Sequence, residues 1–115
     1  MAGIGLTIAL IKALSGGGSG GGGGTHEEPV SGSTPSITGK DGTRYICGEV
    51  STLSITPPQT GIISVVFESG STPTILTVPN TVVFSNGFDP TDLEANTVYE
   101  INIADGTLGV VASWA

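Results

Sequence analysis

The sequence predicts an all-β fold: a small antiparallel β-sandwich or jelly-roll-like head, preceded by a short apolar N-terminal helix and a Gly-rich tether. Three observations carry this expectation. The chain after residue 40 is rich in Val, Ile and Thr, the residues that suit a pleated, half-buried surface. Its apolar runs are short, alternate with a period of two, and are cut by Gly, Pro and Asn punctuation. Ser15 to Gly24 is a run of ten residues with almost no side chains, which separates an apolar segment from everything that follows. Such a run buries too little apolar surface to offset its ordering entropy, so a flexible tether is expected there.

The expected organisation is an anchor at 1–14, a tether and extended polar lead-in at 15–39, and a head at 40–115. Ile4 to Leu14 is apolar on nearly every face apart from Thr7 and Lys12, as in a short helix buried around its whole circumference. Ile4, Leu6, Ile8, Leu10, Ile11 and Leu14 are its anchoring side chains. Eleven helical residues reach only about 16 Å, well short of a bilayer, so no membrane span is expected. An isolated helix of this length needs a partner, either another protein or copies of itself. A secretory signal is the competing reading, with Ala13-Leu14-Ser15 as a loose cleavage region. Against it stand the lack of a positive leading segment and the late position of Lys12.

Thr25 to Thr38 is polar and rich in Pro, Ser and Gly, hence extended. Lys40-Asp-Gly42 supplies a turn, and Thr43 to Ile55 holds one or two strands with Gly48 as a bulge. Pro57-Pro58 ends the ladder because neither residue can donate to it. Ile62 to Phe67 is apolar on both faces, as in a central strand. Short strands follow at Thr74–Val78 and Thr81–Phe84, ended by Pro79-Asn80 and Asn86-Gly87. Asp89 to Glu94 reads as one helical or 3₁₀ turn with Asp89 as its cap, pinned by Phe88 and Leu93. The clearest local pattern comes last. Val98–Ile103 and Thr107–Trp114 flank Asp105-Gly106, a preferred type I′ hairpin turn. In that register Ile103 opposes Leu108, Ile101 opposes Val110 and Tyr99 opposes Ala112, with Trp114 on the same core face.

Charge and side-chain inventory narrow the function. The formal net charge is −7, and Lys12, Lys40 and Arg44 are the only cations. Three scattered cations make no basic patch, which disfavours nucleic acid and anionic lipid as partners. Only 11% of residues are charged, as expected of a surface covered by neighbours. His26 is the single histidine and stands in the lead-in, without a nucleophile to activate. Cys47 is the single cysteine, set in a strand-like run, and reads as a small buried hydrophobe rather than a reactive thiol. Zinc would need more Cys and His than these two. Asp89, Asp92 and Glu94 are the alternative calcium set, without the glycine-spaced loop such sites use. Glu94 and Glu100 are the carboxylates a glycosidase would need, and both read as charged surface. No catalytic, cofactor or metal site is assigned, and a non-enzymatic protein is expected.

The C-terminal block carries a resemblance. Asn86-Gly-Phe-Asp-Pro90, Leu93-Glu-Ala-Asn-Thr-Val-Tyr-Glu-Ile-Asn-Ile103 and Gly109-Val-Val-Ala-Ser-Trp114 resemble the C-terminal β-module of small virion proteins from tailed phages and prophages of gut Firmicutes. The apolar N-terminus followed by a glycine tract is similar to the virion-attachment end of such proteins. The resemblance implies a structural component of head-fibre, tail-fibre or decoration type, with capsid, portal or tail proteins as partners and no catalytic residues. A homo-oligomer, a trimer above all, fits this layout, because joined heads turn weak single anchors into a multivalent attachment. Two other functions stay open at the level of sequence. One is recognition of a host-surface glycan through an aromatic platform, for which Tyr45, Tyr99 and Trp114 are the candidates. The other is a secreted cell-surface protein whose first residues are a signal peptide.

Overall fold

The computed structural model describes residues 26–114. The expected anchor helix at 1–14, with Ile4, Leu6, Ile8, Leu10, Ile11 and Leu14, lies outside the described residues, as does the tether. The described chain is built from strands β1 (His26–Val30), β2 (Ser36–Thr38), β3 (Thr43–Glu49), β4 (Thr52–Thr56), β5 (Ile62–Glu68), β6 (Ile75–Thr77), β7 (Val83–Phe84), β8 (Val98–Ala104) and β9 (Leu108–Trp114). A 3₁₀ turn at Ser85–Gly87 is the one helical element among the described residues.

Two sheets share one core. The larger has the order β1-β3-β5-β8-β9-β7, and the smaller has the order β2-β4-β6. Inward side chains of both sheets, including Ile37, Tyr45, Leu53, Ile55, Val65, Phe67, Leu76, Ile101 and Ile103, form a single apolar cluster. The first six strands alternate between the sheets, so the chain winds between them as a coil. Each strand lands parallel to the one a winding earlier: His26 pairs with Thr43, Tyr45 with Val65, Ser36 with Ser54, and Thr52 with Ile75. A parallel pair needs a long crossover, and here the opposite sheet supplies it in place of a helix. The expected antiparallel sheets are therefore corrected. Antiparallel pairing is confined to β5–β8 and β8–β9, where the hairpin closes the coil.

The expected lead-in is part of this coil. Residues 26–38 provide the first strand of each sheet, so the ordered unit begins well before residue 40. Polar composition hid them, because an edge strand leaves much of its surface to solvent. The His26 N–H donates to the Gly42 carbonyl at 2.8 Å, so His26, Glu28 and Val30 bond to β3 while Glu27 and Pro29 face away. Pro29 thus leaves the open edge of β1 without an N–H at its centre, which blunts it against strand addition.

Several local expectations hold. The Thr43 N–H donates to the Lys40 carbonyl across the turn, β4 stops before Pro57, and the β3–β5 register shifts between Ile46 and Glu49, around Gly48. β5 lies between β3 and β8 with both faces largely buried. The turn at Asp89 forms too. Asp89 caps a single turn in which the Asp92 N–H donates to the Asp89 carbonyl at 3.1 Å, and the Thr91 N–H and hydroxyl both donate to Asp89 Oδ1. A separate 3₁₀ turn forms at Ser85–Gly87. Phe88 and Leu93 do pack against the core, as expected.

The hairpin is where a small difference has a large consequence. Asp105 and Gly106 have φ of 54° and 65°, and the Thr107 N–H donates to the Ala104 carbonyl, as in the predicted type I′ turn. The Thr107 carbonyl, however, accepts the Val83 N–H of β7 at 2.7 Å. Thr107 is consequently an extra residue between turn and ladder, and Ala104 pairs with Leu108, Ile103 with Gly109 and Ile101 with Val111. A shift of one residue turns every side chain of β9 to the other face. Leu108, Val110, Ala112 and Trp114, expected in the core, point outward.

Candidate functional site

The outer face of the larger sheet is the most distinctive surface of the molecule. Its register aligns Ile62 of β5, Ala104 of β8, Leu108 of β9 and Val83 of β7 in one row across four strands. Val110, Ala112 and Trp114 continue the apolar line along β9 by the period of two. Ile62 and Val83 are more than half exposed, and Leu108, Val110 and Trp114 are also exposed. Scattered apolar residues on a surface are ordinary, but a contiguous strip of them marks a contact site.

The same face changes character toward β1. Arg44 of β3 and Glu100 of β8 form an ion pair at 2.6 Å over β5, and Ser64 donates to Asn102 beside it. Val66 and Val98 are fully buried on this outer face, forming a second small cluster with Ile46. The face is therefore divided into a sealed, charge-paired half and an open apolar half.

The residues singled out for chemistry are dispersed. Tyr45 and Tyr99 are 4% and 5% exposed, so neither offers a ring to a ligand. The Tyr45 hydroxyl accepts the Lys40 N–H, and the Tyr99 hydroxyl accepts the Glu94 N–H. Tyr99 stacks on Phe67 at 5.4 Å and meets Phe88 edge-on, as a core aromatic. Trp114, expected inside, is 36% exposed at the end of the strip. Of the three candidate aromatics it alone presents a ring to solvent.

Cys47 is buried, and burial pushes its thiol up to about 11. A thiol held neutral this far above physiological pH is a packing group. His26 lies on the exposed β1 edge, 3.7 Å from Glu28. Among the described residues no group of three or more His, Cys, Asp and Glu side chains converges to hold a metal ion. Asp89 is occupied by Thr91, whose hydroxyl and N–H hold its carboxyl below the usual range. Glu100 is committed to Arg44.

No protein-family model, curated protein or solved structure matches the chain.

Two features of the surface escaped the sequence reading. The first is the apolar strip itself, hidden because Thr107 stands outside the hairpin ladder with its carbonyl bonded to Val83 of a strand distant in sequence. The second is a carboxylate pair at one end of the coil, where Glu49 of β3 and Glu68 of β5 stand in register. Desolvation, and then the neighbouring Glu49 charge, raise the Glu68 carboxyl above its ordinary range. A cleft of about 370 Å³ lies between β6 and the loop that carries Pro90 to Leu93. It gathers no titratable group other than Asp92.

Proposed function

We propose that this chain is a non-enzymatic structural protein of a phage particle. Its N-terminal segment would attach it to other virion proteins, and its β-rich head, a two-layer β-sandwich, would project outward. The observation that carries the reading is the joint between tether and head. The glycine tract lies in sequence almost directly before β1, so a tether there would join the apolar segment to the first strand of the head. A swivel suits a particle in which the head and its docking site differ in symmetry. The outward apolar strip and the sparse charge support an assembly role as well.

The test is mass spectrometry of purified particles from the organism that encodes the chain. The expected result is the protein in intact virions with Met1 to Leu14 retained. Its absence from particles overturns the reading. A mature N-terminus close to Ser15 overturns it in favour of a secreted protein.

The exposure of Trp114 supports a second reading, a glycan-binding head. An indole face bordered by flat apolar surface is a stacking platform for a sugar ring. Binding on a glycan array that is lost in Trp114→Ala supports it, and a silent array removes it.

A further inference from the structure

We propose that the apolar strip on β9 is the resting place of the chain's own N-terminal segment, Ile4 to Leu14, before that segment finds a partner elsewhere. Distance is the first argument. Glu27, the residue after His26, pairs with Arg44, Arg44 with Ser64, Ser64 with Asn102 and Asn102 with Val110, so His26 falls one residue back along that line. The point where the tether joins the head is therefore level with Gly109, midway between Leu108 and Val110. Four strand spacings separate β1 from β9, roughly 19 Å at about 4.8 Å each. A ten-residue glycine-rich tether has a root-mean-square reach of roughly 16–19 Å. Tether and span match, the condition under which effective concentration is highest, on the order of millimolar.

Size and chemistry give the second argument. The exposed side chains of the strip present on the order of 500 Å² of apolar surface, the scale of a functional patch. A stable dimer needs roughly 800 Å² from each partner, so the strip is small for a second copy and suited to a short segment. The segment offers aliphatic side chains, the strip is uncharged, and each removes the other's apolar surface from water. Addition to the β1 edge, the other surface near the tether, is opposed by Pro29. Stowage of this kind keeps the segment from aggregating in the free protein and is undone when a better partner takes it.

The single tryptophan sits on the strip and reports on its cover. The experiment uses the full chain at micromolar concentration, with mass checked by light scattering. Ile8→Asp/Ile11→Asp is expected to shift Trp114 emission to the red and to raise its acrylamide quenching constant about two-fold. In the opposite direction, Val110→Asp is expected to raise the rate of tryptic cleavage after Lys12 several-fold, with an unchanged thermal melt of the head. Trp114 emission and quenching unchanged by the double substitution overturn the proposal. So does protection that disappears on dilution together with a dimeric mass, which assigns the strip to a second copy. Neither readout involves a particle, so either result is independent of whether the protein is found in virions.

Discussion

Arg44 Nη2 lies 2.6 Å from Glu100 Oε2, and the two reach each other from β3 and β8 across the intervening strand β5. Both side chains are about six-sevenths buried, and Val66 beneath them is fully buried on what would otherwise be the open face of a sheet. A third group belongs to this arrangement. Glu27 is the register partner of Arg44, and Glu27 Oε2 and Arg44 Nε are both buried without a hydrogen-bond partner. Glu27 is thus the strand neighbour of Arg44, whereas Glu100 holds its ion pair. Removing Arg44 leaves Glu100 partly desolvated and uncompensated. Arg44→Ala is expected to cost about 2 kcal/mol, below the roughly 3–5 kcal/mol of a fully buried pair because some solvent remains. Glu27→Gln is expected to cost less than half as much. Urea denaturation of the two variants checks the order.

Gly109 makes room for a ring. A β-carbon at that position would lie 2.5 Å from the Phe84 side chain, which packs edge-on against Phe88 at 5.1 Å and continues the aromatic chain toward Tyr99. Gly109→Ala should therefore destabilise the protein by about 2 kcal/mol through overpacking. Phe84→Leu in the same chain should recover part of that loss. A double-mutant cycle measured by thermal melting shows the coupling, and additive effects would contradict it.

Most strands are legible in the sequence because alternation and turn chemistry are local properties. Pro57-Pro58 and Asp105-Gly106 announce themselves within four residues. What joins the strands is not local. The windings are unequal, His26 to Thr43 in one and Arg44 to Ser64 in the next, so no internal repeat marks the coil. Polar β1 and β2 read as lead-in because each has one open edge. The fate of Trp114 depended on Thr107, whose carbonyl is taken by Val83 from a strand more than twenty residues earlier. A one-residue bulge of that origin decides which face of β9 meets the core, and hence whether the molecule has an exposed strip at all.

Asp105 is more than a turn residue. It holds φ at 54°, its Oδ1 accepts the Gly61 N–H at 2.9 Å, and its own N–H donates to the Gly61 carbonyl. This two-way bond ties the hairpin to the loop that precedes β5. Asp105→Ala loses one hydrogen bond and strains the left-handed backbone, an expected cost of about 2 kcal/mol. Asp105→Asn keeps the conformation and an acceptor, and is expected to lie within about 0.5 kcal/mol of the parent protein. Equal melting temperatures for the Ala and parent proteins would show that the bond contributes nothing.

Cys47 provides a probe that needs no substitution. Its thiol is buried and pushed up to about 11 by desolvation, so almost no thiolate exists at pH 8 in the folded protein. Reaction with a disulfide reagent should be slower than for a free thiol by at least about a hundredfold, and should proceed only as fast as the chain opens. Modification at the rate of a free thiol in native buffer would place Cys47 at the surface.

Glu68 makes stability depend on pH in an identifiable direction. Desolvation first, and the facing Glu49 charge second, raise its carboxyl above the ordinary range. A folded-state value above the unfolded one means that the folded chain binds the proton more tightly. The resulting stabilisation is complete below the unfolded value of about 4.3 and is lost as pH rises through the folded value. Glu68→Gln should therefore stabilise the protein at pH 7, by no more than about 0.5 kcal/mol once solvent screening of this partly exposed pair is allowed for. The gain should shrink as the pH is lowered toward 4, where the parent carboxyl carries its own proton. Asp89, held low by Thr91, acts in the opposite sense in both proteins and cancels in the difference. Melting temperatures of parent and variant between pH 4 and 7 decide the matter. A variant that is less stable at pH 7, or a difference that does not narrow on acidification, would mean that the Glu68 carboxyl is not raised in the fold.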